Sequence, residues 1–203
     1  ADTITLATNA DDITSTVNAG NGQNTIGFEG KGNNTIISGK DNDTINVWTG
    51  TTNTTIKAGK GENAINISNG STFGNITLTE EKVNAKNIIN FRAEINENYT
   101  LIKSGNDLII QNDINDSKIK IQGYYLTRTS KTKYAEIELK INGTSKTVDE
   151  LLSLTGKGLT IGGSGTIVGT QNADNILAND YDTTLKASND IITAGKGNDT
   201  INA

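Results

Sequence analysis

One short unit, repeated at fixed spacing, constrains this chain more than anything else in it. The unit is a glycine turn followed by a brief polar–apolar strand. It reads Ala19-Gly-Asn-Gly-Gln-Asn-Thr-Ile26, Glu29-Gly-Lys-Gly-Asn-Asn-Thr-Ile36, Ser38-Gly-Lys-Asp-Asn-Asp-Thr-Ile45, Thr49-Gly-Thr-Thr-Asn-Thr-Thr-Ile56 and Ala58-Gly-Lys-Gly-Glu-Asn-Ala-Ile65. Its glycines fall at positions 20, 30, 39, 50, 59 and 70, so alternate ones (30, 50, 70 and 39, 59) lie 20 residues apart. Two unequal units per 20-residue turn predict a solenoid, because one such unit cannot bury its apolar face alone.

Composition agrees with a thin core. Hydrophobic residues make up 33% and aromatic residues 4% of the chain, too little for one large globular interior. Glycine is abundant and proline absent, which suits stacked short strands joined by tight turns. Without Cys, His or Met there is no disulfide, thiol nucleophile, imidazole base or soft-metal site. A net charge of −5 disfavours a nucleic-acid partner. No apolar run approaches the roughly 18 residues of a helical membrane span.

Three segments are expected. Residues 1–78 are repeats, with Ile4, Ile13, Ile26, Ile36, Ile45, Ile56, Ile65 and Ile76 pointing inward. Phe28, Val47, Ile67 and Leu78 join them two residues on, on the same strand face. Thr25, Thr35, Thr44, Thr55 and Trp48 then face outward. Residues 79–157 lose the glycine ladder and hold 12 of the 18 basic residues and four of the five tyrosines. Their net charge is +1, against −3 on each flank, which marks a change of character. Strands are predicted at Tyr99–Lys103, Leu108–Gln111, Lys118–Gln122 and Tyr134–Ile141. Turns are predicted at Ser104-Gly-Asn-Asp107 and Asn142-Gly143, and a short helix over Val148–Leu154 capped by Thr147. Repeats resume over 158–203, with anchors at Ile167, Ile176, Leu185, Ile192 and Ile201 that predict a coil of about 18 residues. The fold class is therefore all-β: a parallel β-roll or β-solenoid in two segments, interrupted by a mainly β insert with one short helix. Both ends of the sequence fall inside a repeat, so a piece of a longer array is expected.

Ala194-Gly-Lys-Gly-Asn-Asp-Thr-Ile-Asn202 resembles the nonapeptide G-G-x-G-x-D-x-U-x of the RTX (repeats-in-toxin, haemolysin-type calcium-binding) family, and Gly169-Thr-Gln-Asn-Ala-Asp-Asn-Ile176 is similar to its entry unit. The middle stretch, from Tyr99-Thr-Leu-Ile-Lys-Ser-Gly-Asn-Asp-Leu-Ile-Ile110 through Ser117-Lys-Ile-Lys-Ile121 and Gly123-Tyr-Tyr125 to Val148-Asp-Glu-Leu-Leu152, resembles the non-repeat segment that punctuates many RTX arrays. The resemblance implies a parallel β-roll, type I secretion, an extracellular or cell-surface location, and Ca²⁺ held in the turns between coils.

Carrying over the sixth, acidic position of the nonapeptide gives Asp174, Asp190 and Asp199 in the second array, with Asp180 and Asp182 flanking the Thr183 that departs from the pattern. Alternation of edges pairs Asp174 with Asp190, and Asp182 or Asp180 with Asp199. In the first array the same position reads Asp2, Asp11, Asn24, Asn34, Asp43, Thr54, Asn63 and Gly74. Asp43 and Asp11 are the carboxylates carried forward as metal candidates. Neutral amides weaken calcium binding by removing charge, so coils 20–78 are expected to bind little and to be held by Asn and Thr hydrogen bonds instead.

The expected role is a non-catalytic, calcium-binding structural segment of a large extracellular protein, a surface-layer protein or an adhesin. Its partners are calcium, neighbouring repeats of the same protein and, at the insert, a cell-surface glycan, with Tyr124-Tyr125 weighed as a sugar contact against simple packing. The alternative is the repeat region of a secreted RTX toxin, or the export and folding domain of a secreted hydrolase. No H-E-x-x-H or G-x-S-x-G motif is present in the chain.

Overall fold

A strand that alternates apolar and polar residues has one face to bury, and a short one can bury it only against its neighbours in a stack. In the computed structural model, residues 1–11, 13–48, 52–68, 73–79, 84–126, 134–162, 166–170, 173–177 and 191–202 are described. The chain winds as a parallel β-solenoid of about 7 turns with one short helix. The first array supplies β1 (Thr3–Thr8), β2 (Thr14–Asn18), β3 (Thr25–Gly30), β4 (Gly32–Ile37), β5 (Thr44–Val47), β6 (Thr52–Lys57), β7 (Gly61–Ile67) and β8 (Asn75–Leu78). The middle supplies β9 (Ala85–Phe91), β10 (Tyr99–Ser104), β11 (Asp107–Asn112), β12 (Lys118–Ile121), β13 (Glu136–Ile141), β14 (Thr144–Ser145) and α1 (Val148–Thr155). The second array supplies β15 (Thr160–Gly162), β16 (Thr166–Val168), β17 (Asn175–Leu177), β18 (Ile191–Thr193) and β19 (Thr200–Asn202).

Odd and even strands of the first array form two facing sheets. One runs β1-β3-β5-β7-β9-β13-β14, and the other β2-β4-β6-β8-β12-β11-β10-β15-β17-β19. Parallel register stacks Ile4, Ile26, Ile45, Ile65 and Ile89 in one column, and Val17, Ile36, Ile56 and Leu78 in the facing one. From Ile26 to Ile89 the first column is buried, as is the second from Val17 to Leu78. Each such side chain contributes about 1.5–3 kcal/mol. At the outer end Ile4 is half-buried and Ile13 lies at the surface.

Two registers differ from the expected spacing. Leu78 rather than Ile76 stacks on Ile56, and Ile76 stacks on Thr54, so this coil is two positions longer than the regular one. Both residues still face inward, because a shift of two keeps every side chain on its face. In the second array Ile167 pairs with Ile192, and Ile176 with Ile201, so each coil is longer than the apolar spacing predicts. Leu185 lies outside the described residues. Coil length follows the recurrence of Asp174-Asn-Ile and Asp199-Thr-Ile in one sheet, not the spacing of apolar residues alone.

The middle stretch is threaded through both sheets. β9 lies parallel on β7, and β13 parallel on β9. β12 lies parallel on β8, β11 and β10 follow antiparallel, and β15 then restores the parallel run on β10. Asn142 and Gly143 both take positive φ (48° and 82°) at the β13–β14 turn, as a tight hairpin requires. Thr147 caps α1 in a capping box with Glu150, and Gly156 closes it in the left-handed conformation. Between β9 and β13, Glu138 meets Lys86 at 2.6 Å and Lys140 at 3.4 Å. The Lys86 ammonium, with the Ser145 hydroxyl, holds the Glu138 carboxyl down to about 2.

Coil spacing explains the glycine ladder. Gly39 has φ 101°, and a Cβ there would sit 1.9 Å from the Gly20 carbonyl oxygen; a Cβ on Gly59 would sit 1.8 Å from that of Gly39. Gly20 has φ 74° but nothing near its missing Cβ. Gly20→Ala is expected to cost about 1–2 kcal/mol from left-handed backbone strain alone. Gly39→Ala is expected to cost a further 1–3 kcal/mol, roughly, from overpacking against backbone. Urea unfolding of the two variants checks this, and equal losses would contradict it.

Candidate metal centre

The sixth position of the unit falls at or near the start of its strand, and at Asn24, Asn34, Asp43, Thr54, Asn63 and Asp174 the residue is buried, whereas Asp11 is exposed. In the first sheet Asp2, Asn24, Asp43, Asn63 and Asn87 stack in register. Asn24 Oδ1 accepts from the Asp2 N–H (2.9 Å), Asp43 Oδ1 from the Asn24 N–H (2.8 Å), and Asn63 Oδ1 from the Asp43 N–H (3.1 Å). Asn63 Nδ2 then donates to Asn87 Oδ1 at 3.1 Å. The members from Asn24 to Asn87 are buried. From Asn24 to Asn63, each side-chain oxygen therefore satisfies a backbone donor of the coil before it, which a buried turn needs. Two further amide ladders run along the outer faces: Asn33, Asn53, Asn75 and Asn46, Asn66, Asn90. The expectation that amides hold the first array together describes this arrangement.

Asp43 is the odd member. Its Oδ2 is buried and has no hydrogen-bond partner among the described residues. Burial pushes its carboxyl above the ordinary carboxylate range, against the hydrogen bond from the Asn24 N–H, and the nearby Asp41 adds to the rise. It has one acidic neighbour rather than a cluster. Asp11 stands at the surface, 3.4 Å from the Lys31 ammonium. Neither is placed beside a second candidate from the first array.

In the second array the structure brings Asp174 and Asp199 together. Asp199 Oδ1 accepts from the Asp174 N–H at 2.9 Å, the same contact as in the first-array ladder. Asp174 is buried, and its two carboxylate oxygens accept from the N–H and the hydroxyl of Thr170. The turns of the two coils abut. A Cβ on Gly195 would lie 2.0 Å from the Thr170 carbonyl oxygen, and one on Gly169 2.0 Å from that of Ala194. The expected alternation set Asp174 with Asp190 and Asp199 with Asp182 or Asp180; the contact among the described residues joins Asp174 to Asp199, in a coil longer than the apolar anchors suggest. Asp180, Asp182 and Asp190 lie outside the described residues.

Carboxylates and carbonyls are the hard oxygen donors that calcium takes, usually six to eight of them. Asp174 and Asp199 fit by type. They fall short by number, since no group of three acidic side chains comes together among the described residues. Tyr124 and Tyr125 stack edge to face (centroids 5.0 Å apart) and pack against the core, with the Lys103 ammonium 5.2 Å from the Tyr125 ring. They are packed rather than presented. The segment pattern carried an overlooked signal: Asp43-Thr-Ile-Asn-Val47, Asn63-Ala-Ile-Asn-Ile67 and Asn87-Ile-Ile-Asn-Phe91 are one motif, so the ladder passes into the middle stretch.

No protein-family model matches the chain, and no curated protein matches it.

Asp43→Asn keeps the acceptor for the Asn24 N–H and removes the buried charge. The raised carboxyl contributes stability that is complete below its unfolded value of 3.8 and is lost as pH rises through its higher folded value. In chelator at pH 7 the variant is expected to gain about 1–3 kcal/mol, the cost of an unsatisfied buried group, and to lose part of the pH dependence. A destabilised variant under those conditions would contradict this account of Asp43.

Proposed function

We propose that this chain is a non-catalytic structural segment of a large extracellular protein of the RTX type, a surface-layer protein or an adhesin, and that its second array takes calcium. The observation that carries the reading is the stacking of Asp174 on Asp199 between abutting turns of a parallel β-solenoid. Asp174 and Asp199 would hold the ion, with Asp180, Asp182 and Asp190 supplying further charge from the intervening segment. Bound calcium would offset the repulsion of these carboxylates and favour the folded coil, since a ligand that binds only the folded state stabilises it. An array that lacks calcium inside the cell and meets it outside can then fold after type I secretion. The first array, closed by amide ladders, needs no ion for its coils to stack.

The test is calcium titration followed by circular dichroism and calorimetry, with chelator as the starting state. Asp199→Asn preserves the acceptor for the Asp174 N–H and removes only charge. It is expected to fold its first array as before and to lose at least one bound calcium or weaken it about tenfold or more, with fewer carboxylates to hold it. Complete folding in chelator with no calcium bound would overturn the reading.

A further inference from the structure

Outside the arrays, one feature not yet used is a cleft where the chain crosses from β9 to β10. It has a volume of about 410 Å³, within the range of roughly 300–1,000 Å³ usual for small-molecule sites. Regular coils cross between sheets by tight glycine turns. Here residues 92–98 make a wider crossing, and the end of β11 and the β13–β14 turn close its sides.

Its walls carry Arg92, Glu94, Asn96, Asn98, Asn112 and Asn142. The Arg92 and Glu94 side chains are exposed and make no hydrogen bond or ion pair with a described residue. Asn96 and Asn112 each use Oδ1 to accept a backbone N–H two residues on, from Asn98 (3.0 Å) and Ile114 (2.9 Å). Those bonds orient the amide planes, and neither Nδ2 group has a hydrogen-bond partner among the described residues. The Asn98 and Asn142 side chains are unbonded among the described residues and offer a donor and an acceptor each. Six residues with planar polar side chains thus line one cleft, and no hydrogen bond or ion pair joins them side chain to side chain among the described residues.

Two features select the ligand. Arg92 and Glu94 cancel in charge, so the site favours a neutral molecule. Its lining residues include both donors and acceptors, which suits hydroxyls, since each hydroxyl both donates and accepts. Tyr99, buried, and Ile114, 72% exposed, also line the cleft and add apolar surface for the C–H face of a ring. We propose that the cleft bounded by Arg92, Glu94 and the four asparagines binds a neutral saccharide through its ring hydroxyls. The site shares no residue with Asp174 and Asp199, and binding does not depend on calcium in the second array.

The full chain, in chelator and again in calcium, is titrated by NMR and calorimetry with neutral probes: glucose, galactose, mannose, N-acetylglucosamine and their β-1,4-linked dimers. At least one dimer is expected to shift the resonances of residues 92–99, 112–114 and 142 in both conditions, with little effect of added salt. Arg92→Ala and Glu94→Ala remove exposed, unbonded side chains, so the melting curve should hold while affinity falls about tenfold for each. No binding by any probe up to tens of millimolar overturns the proposal. So do variants that bind within twofold of the wild type, or an acidic peptide or uronic-acid dimer that binds in preference with strong salt dependence. Binding lost only in chelator would tie the cleft to the calcium array and overturn its independence.

Discussion

Coils stacked at the strand spacing of about 4.8 Å make every residue its own neighbour one turn on, and that constraint governs the whole molecule. A position is useful only if it tolerates a like residue directly above and below. Isoleucine does so by close packing and asparagine by amide-to-amide hydrogen bonds. Glycine does so because a Cβ would run into the next carbonyl, as at Gly39 and Gly59. A lone carboxylate tolerates it poorly: ionised carboxylates repel across a ladder, and Asp43 keeps an oxygen buried without a partner among the described residues. At the sixth position of the unit, asparagine is the commoner residue in the first array (Asn24, Asn34, Asn63) and aspartate in the second (Asp174, Asp190, Asp199). In the first array the side-chain oxygens from Asn24 to Asn63 take up backbone donors of the coil before, and in the second Asp199 makes the same contact to the Asp174 N–H.

The ladders also explain how a middle stretch of different composition joins without a break. β9 enters with Asn87 and Asn90 already in the two amide columns of its sheet. β12 continues the facing sheet with Ile119 and Ile121 beneath Ile76 and Leu78. The antiparallel β10–β11–β12 meander then reverses direction twice and hands a parallel edge to β15. Its cost in regularity is the wide crossing at 92–98, and a wide crossing leaves a cleft where a regular coil would leave none.

Much of this was legible in the residues. The repeat period of the first array, the inward isoleucines, the hairpin at Asn142-Gly143 and the Thr147 cap each follow from local chemistry that acts within a few residues. Register did not follow from it. Nothing local distinguishes Ile76 from Leu78 as the partner of Ile56, because both lie on the inner face. Nothing local shows that Asp199, and not a nearer carboxylate, is the counterpart of Asp174.

The sequence by itself determined the kind of object: short parallel strands, two columns of aliphatic residues, polar edges and no machinery built on His or Cys. Those are consequences of side-chain period, glycine geometry and composition. Tertiary structure alone decided which residues meet. It paired Asp174 with Asp199, left Asp43 among amides, turned Tyr124 and Tyr125 toward packing and gathered Arg92, Glu94 and four asparagines around one cleft. Those outcomes depend on how many residues each coil loops out between strands. That number is set by the stacking of whole coils, which no single repeat encodes.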